Sequence, residues 1–337
     1  MAVLPISDYQ RYAHQFLLES FQTRSYLNYS DGEWKKHLTP ADEGGNTVLT
    51  VFGQAINFHQ LEGLLMQLGT SITLHRIQRH SLCNVYGETV LRANVTLNDE
   101  AQARVRLAQA CEQFALEAGI QLQQPKLKEA GLLVMDMDST VIQIECIDEI
   151  AALAGCKDEV SEVTLQAMQG KLDFDASLIK RVACLKGVEV AALEKIRDSL
   201  PLTQGIQILI KELKMRNWRL AIASGGFTYF ADYLGERLGL DETLANILEV
   251  NKGKLTGQVT GSIVNGETKA QTIARLASAY DIPLSQTVAA GDGANDLPMM
   301  QVASLGVACH AKPTVTEHAD VSIRHSGLHA LLYFLEV

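Results

Sequence analysis

Apolar and polar positions alternate in two different rhythms along the chain, and the change between them falls near Gly131. Thr47 to Phe52 reads as a strand, Phe58 to Leu68 as an amphipathic helix closed by Gly69, and Ile72 to Leu82 as a second strand. Glu88 to Leu97 alternates as a third strand, Asn98-Asp99 caps a helix running to about Ala118, and Ile120 to Gln123 makes a fourth strand. Before this, only Tyr9 to Phe21 carries helical spacing, and residues 1–45 yield no role. Beyond Gly131, Leu132 to Met135, Leu220 to Ala223 and Val288 to Ala290 are continuous apolar runs, the pattern of parallel strands buried on both faces. A polar, glycine-containing or acidic turn follows each run directly. In an open α/β sheet, such turns converge at the carboxyl edge of the strands.

Roughly 80 residues separate the first two of these strands, where a simple crossover needs a dozen or more. Ile147 to Ala154, Glu159 to Met168, Phe174 to Leu185 and Val190 to Leu200 suit helices, broken at Gly155, Gly170 and Gly187. They read as a helical cap over about 145–200. Leu248 to Val250 and Leu255 to Val259 flank Asn251-Lys252-Gly253-Lys254 as a hairpin. The expected fold is a doubly wound α/β parallel sheet over 131–337, with the cap inserted after its first strand. A linker over 123–130 joins it to an N-terminal α+β domain, 1–122. From about residue 46 that domain has the order βαββαβ, which is ferredoxin-like.

At 337 residues the chain exceeds what one core comfortably fills, in agreement with two domains. Its net charge of -10 argues against a duplex nucleic acid or an anionic membrane as partner. A small anionic substrate needs only a few local cations and N–H groups. The six cysteines, at 83, 111, 146, 156, 184 and 309, form no C-x-x-C pair and read as reduced thiols of a cytoplasmic protein. Neither a basic-then-apolar N-terminus nor an apolar run of about 18 residues is present, so neither export nor membrane insertion is expected.

Asp136 and Asp138 follow the first buried strand at i and i+2. One carboxylate can attack phosphorus while its neighbour protonates the leaving oxygen and later activates water. The rival reading, two acids capping a helix near Ser139, competes as long as the pair is taken alone. Gly291-Asp292-Gly293-Ala294-Asn295-Asp296 weakens it by bringing two more acids to the same edge. Four carboxylates repel unless a cation lies among them, and oxygen-only ligands suit Mg²⁺. Ser224-Gly225-Gly226 offers a hydroxyl and bare N–H groups ahead of a helix, a phosphate cradle in form although Gly-Gly turns are common. Lys269 is a candidate cation for the phosphoryl group; an isolated lysine is more often a solvated surface residue.

Together Asp136-Met137-Asp138-Ser139-Thr140, Ser224, Lys269 and Gly291-Asp292 with Asp296 resemble the haloacid dehalogenase superfamily. The resemblance covers about Gly131 to Arg324. It implies Asp136 as nucleophile, Asp138 as general acid and base, and Ser224 and Lys269 on the phosphate. Mg²⁺ would be held by Asp136, the Asp138 carbonyl and Asp292, with Asp296 in support. Asp136 to Ile142 followed by Glu145, with Ser224-Gly225-Gly226-Phe227 and the Gly291 to Asp296 turn, narrows the resemblance to the phosphoserine phosphatase family. That implies hydrolysis of O-phospho-L-serine, the last step of serine biosynthesis. Glu145 would meet the substrate ammonium, Arg181 its carboxylate, and Asn295 and the Gly225 N–H would complete the pocket.

An acid among apolar neighbours, as Glu145 is, needs a partner, and Arg181 shares a helical segment with Phe174, Leu178 and Ile179. By itself Arg181 reads equally as a surface charge, and Met168 and Phe174 as cap lining or core. The βαββαβ order also resembles the ACT domains, which implies serine as a regulatory ligand of the N-terminal domain. A packing or dimerisation module is the alternative, and sheet edges pairing between copies would make a homodimer. Two rival functions remain: a phosphatase or phosphotransferase acting on another small phosphomonoester, and an amino-acid sensor working through the N-terminal domain.

Overall fold

Two sheets organise the chain. The computed structural model describes residues 2–21, 25–37, 44–168 and 171–337. It divides into one unit of Met1–Gln124, Asp320–Ser326 and Ala330–Val337 and another of Pro125–Ala319 with Gly327–His329.

The first unit contains strands β1 (Ala2–Val3), β2 (Tyr26–Ser30), β3 (Glu33–His37), β4 (Thr47–Gly53), β5 (Ile72–Arg79), β6 (Thr89–Leu97) and β7 (Glu117–Gln121), in the spatial order β1-β3-β2-β5-β6-β4-β7. Strands β4 to β7 with helices Phe58–Leu68 and Glu100–Phe114 realise the expected βαββαβ order. The first helix forms where its pattern places it: the Asn57 side chain accepts from Gln60 N–H at 3.0 Å, and Phe58, Leu61, Leu64 and Leu68 are buried.

The second helix stops at Phe114, short of the expected Ala118, because Ala115 turns left-handed (φ 51°) and Glu117 to Gln121 pair with β4. Five backbone pairs with β4 outweigh the high helix propensity of Leu116-Glu117-Ala118, which amounts to only tenths of a kcal/mol per residue. Strand β5 likewise ends at Arg79 rather than Leu82, since Cys83 N–H donates to the His80 carbonyl in a turn.

The helical spacing of Tyr9 to Phe21 corresponds to two short helices, Asp8–Arg11 and His14–Ser20, and the hairpin β2–β3, which carried no signal, lines one edge of the four-stranded core. Trp34 is buried against Phe58, and its Nε1–H donates to Glu62 Oε1 at 3.0 Å. Strands of five residues with mixed polarity leave no periodicity to read.

In the second unit, β8 (Leu132–Met135), β9 (Arg219–Phe227), β10 (Glu242–Asn251), β11 (Lys254–Thr260), β12 (Thr287–Gly291) and β13 (Leu305–Cys309) lie in the order β11-β10-β9-β8-β12-β13. All neighbours are parallel except β10 and β11, a hairpin turned by Lys252 (φ 50°) and Gly253 (φ 77°). The chain leaves central β8 toward β9 and β10, then returns to its other side for β12 and β13. The switch of direction therefore flanks the carboxyl end of β8, where α/β sheets take ligands.

Four helices, Cys146–Ala154, Lys157–Met168, Phe174–Ala183 and Val190–Asp198, make up the expected cap. Gly155 (φ 69°) ends the first of them. Gly170 lies outside the described residues, as does the Met168 side chain. Strand β9 is longer than expected: extended backbone continues through Ser224-Gly225-Gly226 to Phe227, and β10 follows it with a register shift between Leu244 and Asn246. No helix among the described residues is long and apolar enough to cross a membrane.

Candidate active site

Strand β8 is buried along its whole length and delivers Asp136 to the sheet edge, where Asp136 N–H still donates to the Ala290 carbonyl of β12 at 2.9 Å. A single wide turn over Met137–Val141 follows, closed by Ile142 N–H on the Met137 carbonyl at 3.0 Å. The turn requires Ser139 in the left-handed region (φ 55°), a conformation that non-glycine residues adopt rarely and often at functional sites. Ser139 repays the strain locally, for its Oγ–H donates to Glu145 Oε1 at 2.7 Å. The helix-cap reading of Asp136 and Asp138 does not describe this turn.

Lys269, on helix Gly266–Ala279, reaches into the same space and is fully buried. Its ammonium lies 2.9 Å from Asp136 Oδ1 and 2.7 Å from Asp296 Oδ1. Asp296 Oδ2 accepts the N–H groups of Asp292 and Gly293 at 3.2 and 3.0 Å, so both its oxygens are occupied. Asp136 Oδ1 accepts from Met137 N–H as well as Lys269, which leaves Oδ2 without a protein donor among the described residues. Asp292 takes the Thr140 hydroxyl at 3.2 Å.

Asp136, Asp292 and Asp296 present carboxylate oxygens within 4.8 Å of one another. Ionised, these three and Asp138 carry four negative charges against one ammonium. The excess pushes protons onto the site. Burial, then Asp136, raise Asp292 to about 7, and the same causes raise Asp296 to about 6. Burial, Glu145 and Asp136 hold Asp138 well above the usual carboxylate range. Burial alone would lower Lys269, but Asp136 and Asp296 outweigh it and raise it. A divalent cation neutralises such excess charge as effectively as protons do, so the donor set fits a hard metal ion.

Gly226 brings the second turn against the first. A Cβ there would lie 2.6 Å from Met137 Cε and 2.8 Å from Asp138 Oδ2, so a larger residue would have to push both side chains aside. Ser224 is buried, and its Oγ accepts from Gly226 N–H at 2.9 Å. At Gly225 a Cβ would meet Phe174 Cζ at 2.6 Å, which places the cap helix Phe174–Ala183 directly over the turn.

The same helix carries Arg181, half-buried, with its Nε shielded from solvent and lacking a hydrogen-bond partner among the described residues. Burial lowers its pKa while Glu145, Asp148 and Asp138 pull it back up. Glu145 keeps its side chain open to solvent, yet loss of hydration still raises it. Asn295 is half-buried in the β12 turn, beside Gly293. All the sequence-expected site residues thus belong to one unit and gather around the end of β8.

Sequence patterns alone missed several residues that hold this site. Thr140 was only part of a motif. So was Ser139, whose bond to Glu145 is set by an unusual turn, while Asn246 and the pair formed by Asn265 Nδ2–H and Asp175 Oδ1, at 3.2 Å between core and cap, carried no signal, because their partners are remote.

The sequence profile of the haloacid dehalogenase-like hydrolases matches residues 133–301, half of the chain. The chain belongs to this family. Among relatives of this hydrolase, the phosphoserine phosphatase of Vibrio cholerae serotype O1 is 53% identical over 211 residues, 63% of this chain. The match spans 64% of that relative's length, a little under two thirds. The phosphoserine phosphatase of Streptomyces coelicolor is 40% identical over 293 residues, covering 87% of this chain and 71% of its own. A crystal structure of a probable phosphoserine phosphatase from Vibrio cholerae, in unliganded form, superposes on the hydrolase with a TM-score of 0.71 at 40% identity, covering 88% of each chain.

Proposed function

We propose that this hydrolase cleaves O-phospho-L-serine to L-serine and phosphate. The observation that carries the reading is the central one: Asp136, at the end of β8, lies 2.9 Å from a fully buried ammonium and beside two further carboxylates. Relatives named phosphoserine phosphatase, at 40% and 53% identity, support the substrate.

Asp136 Oδ2, which keeps its lone pairs, attacks phosphorus; the bond to the serine oxygen breaks, and Asp138, whose surroundings favour its protonated form, gives that oxygen its proton. Asp138 then takes a proton from water, whose oxygen attacks the phosphorus of the aspartyl phosphate and releases phosphate and the Asp136 carboxylate. Lys269 and Ser224, with the Gly225 N–H and Asn295, hold the phosphoryl oxygens.

Asp136, Asp292 and the Asp138 carbonyl would hold Mg²⁺, with Asp296 steadying Asp292 N–H and Lys269 from behind. When bound, the ion supplies positive charge to the phosphate oxygens. Arg181, whose Nε lacks a partner among the described residues, faces the substrate carboxylate, and Glu145 the ammonium. The six free cysteines suit a reducing cytoplasm.

A phosphate-release screen over small phosphomonoesters, with and without Mg²⁺, tests the reading. Phosphoserine is expected to give the highest kcat/KM, lost without metal. Arg181→Ala is expected to lower kcat/KM for phosphoserine roughly 10- to 100-fold while sparing an aryl phosphate without a carboxylate. Equal losses on both substrates would remove the basis for the amino-acid pocket.

A further inference from the structure

Asn246 is 2% exposed, in a strand whose neighbours Leu244, Ala245 and Ile247 are apolar. Its amide does two things at once. Nδ2–H donates to the Gly225 carbonyl at 2.8 Å, and Oδ1 accepts Val264 N–H at 2.9 Å. The first bond fixes the Gly225–Gly226 peptide, whose N–H points at Ser224 Oγ. The second fixes the segment leading into Asn265, which caps helix Gly266–Ala279 through Thr268 N–H at 3.2 Å and so sets where Lys269 starts its reach.

The register shift between Leu244 and Asn246 creates this arrangement: after it, Asn246 is the β10 partner of Phe227, alongside the Ser224 turn. A bulge that re-aims one side chain beside a site is a recurrent device of sheets.

We propose that Asn246 is a positioning residue of the phosphate site, holding the Ser224-Gly225-Gly226 turn at a set distance from the helix of Lys269. This rests on the reading of that turn as the phosphate cradle. Asn246 never reaches substrate; it acts through the Gly225 carbonyl. Turning that peptide would swing the Gly226 N–H off Ser224 Oγ and free the hydroxyl from its orientation. The metal-binding carboxylates are carried by β8 and the β12 turn; Asp136 also meets Lys269 at 2.9 Å, and the Val264 N–H bond that leads into the Lys269 helix is the one that Asn246→Asp keeps.

Asn246→Asp tests this, because it keeps the acceptor for Val264 N–H and turns the donor toward Gly225 into a repelling oxygen. The readouts are inhibition of p-nitrophenyl phosphate turnover by inorganic phosphate, Mg²⁺ affinity by calorimetry, and the melting curve. In a folded variant the phosphate inhibition constant is expected to rise at least roughly tenfold, with Mg²⁺ affinity within about twofold of wild type.

Asn246→Ala, which removes both bonds without adding charge, is expected to raise the phosphate inhibition constant as well. Unchanged phosphate inhibition, an equal loss of Mg²⁺ affinity, or unfolding of both variants would overturn the proposal. If the wild type hydrolyses no phosphomonoester, the proposed function fails, and calorimetric binding of inorganic phosphate still reads Asn246. In that case, equal binding by wild type and Asn246→Asp overturns the inference.

Discussion

Both units bury carboxylates, and they treat them in opposite ways. In the first unit Glu62 has one oxygen on Arg11 Nη1 at 2.7 Å and the other on Trp34 Nε1, while Glu117 accepts the N–H groups of Arg324 at 2.6 Å and Ser326 at 2.7 Å. Each oxygen has its donor, and the charge is spent on holding chain segments together. In the second unit four acids crowd around the end of β8 with a single ammonium among them, and protons are drawn on to make up the balance. A fully satisfied buried acid is part of the fold; an unsatisfied cluster of like charges is kept for a ligand that completes it.

The largest effect that bears on this contrast is expected at Asp136. Asp136→Asn retains shape and burial but removes the proposed nucleophile, and phosphate release should fall at least about 10⁴-fold. Substantial turnover in that variant, with deamidation excluded by mass spectrometry, would end the covalent mechanism. Lys269→Met removes the buried ammonium beside Asp136, with an expected loss of roughly 10² to 10³ in kcat. Near-wild-type kcat would mean that the ammonium serves only to seat Asp136 and Asp296.

A smaller effect separates protons from metal as partners of the cluster. Because burial and Asp136 raise the Asp292 carboxyl to about 7, it keeps its proton below that pH in the metal-free site, and the proposed Mg²⁺ would have to displace it. Mg²⁺ affinity should therefore fall about tenfold as pH drops from 8 to 6, with proton release in the calorimeter. A flat affinity over that range would mean that Asp292 is not a ligand.

The smallest change is expected in the first unit. Glu117→Gln replaces one acceptor with a donor facing an N–H group and should cost about 1–3 kcal/mol of stability by urea unfolding. Phosphate release is expected to stay at the wild-type rate. A catalytic loss there would break the division of labour between the two sets of buried acids.

Much of the second unit was legible before any coordinates. Leu132 to Met135 is as apolar as a strand buried on both faces must be, and the acids after it and after β12 sit where open sheets bind ligands. Glu145 and Arg181 were legible only through family resemblance, since neither an exposed acid nor a helical arginine is distinctive alone. The hairpin β2–β3 was invisible, because its strands are five residues long and of mixed polarity. The early end of helix Glu100–Phe114 was hidden for another reason: pairing with β4, about 65 positions upstream, claims residues that would otherwise continue the helix.

Local pattern by itself determined the strand-and-turn order of the second unit, the four acids at one edge, and the glycines that let turns approach, because these depend on burial periodicity and steric freedom within a few residues. Tertiary structure alone decided which charges are satisfied. Only there does Lys269 meet Asp136 and Asp296, Gly226 close on Asp138, and a register shift turn Asn246 toward the Gly225 carbonyl. Hydrogen bonds and Coulomb energy depend on distances of a few ångströms between residues far apart in the chain, and sequence spacing does not encode those distances.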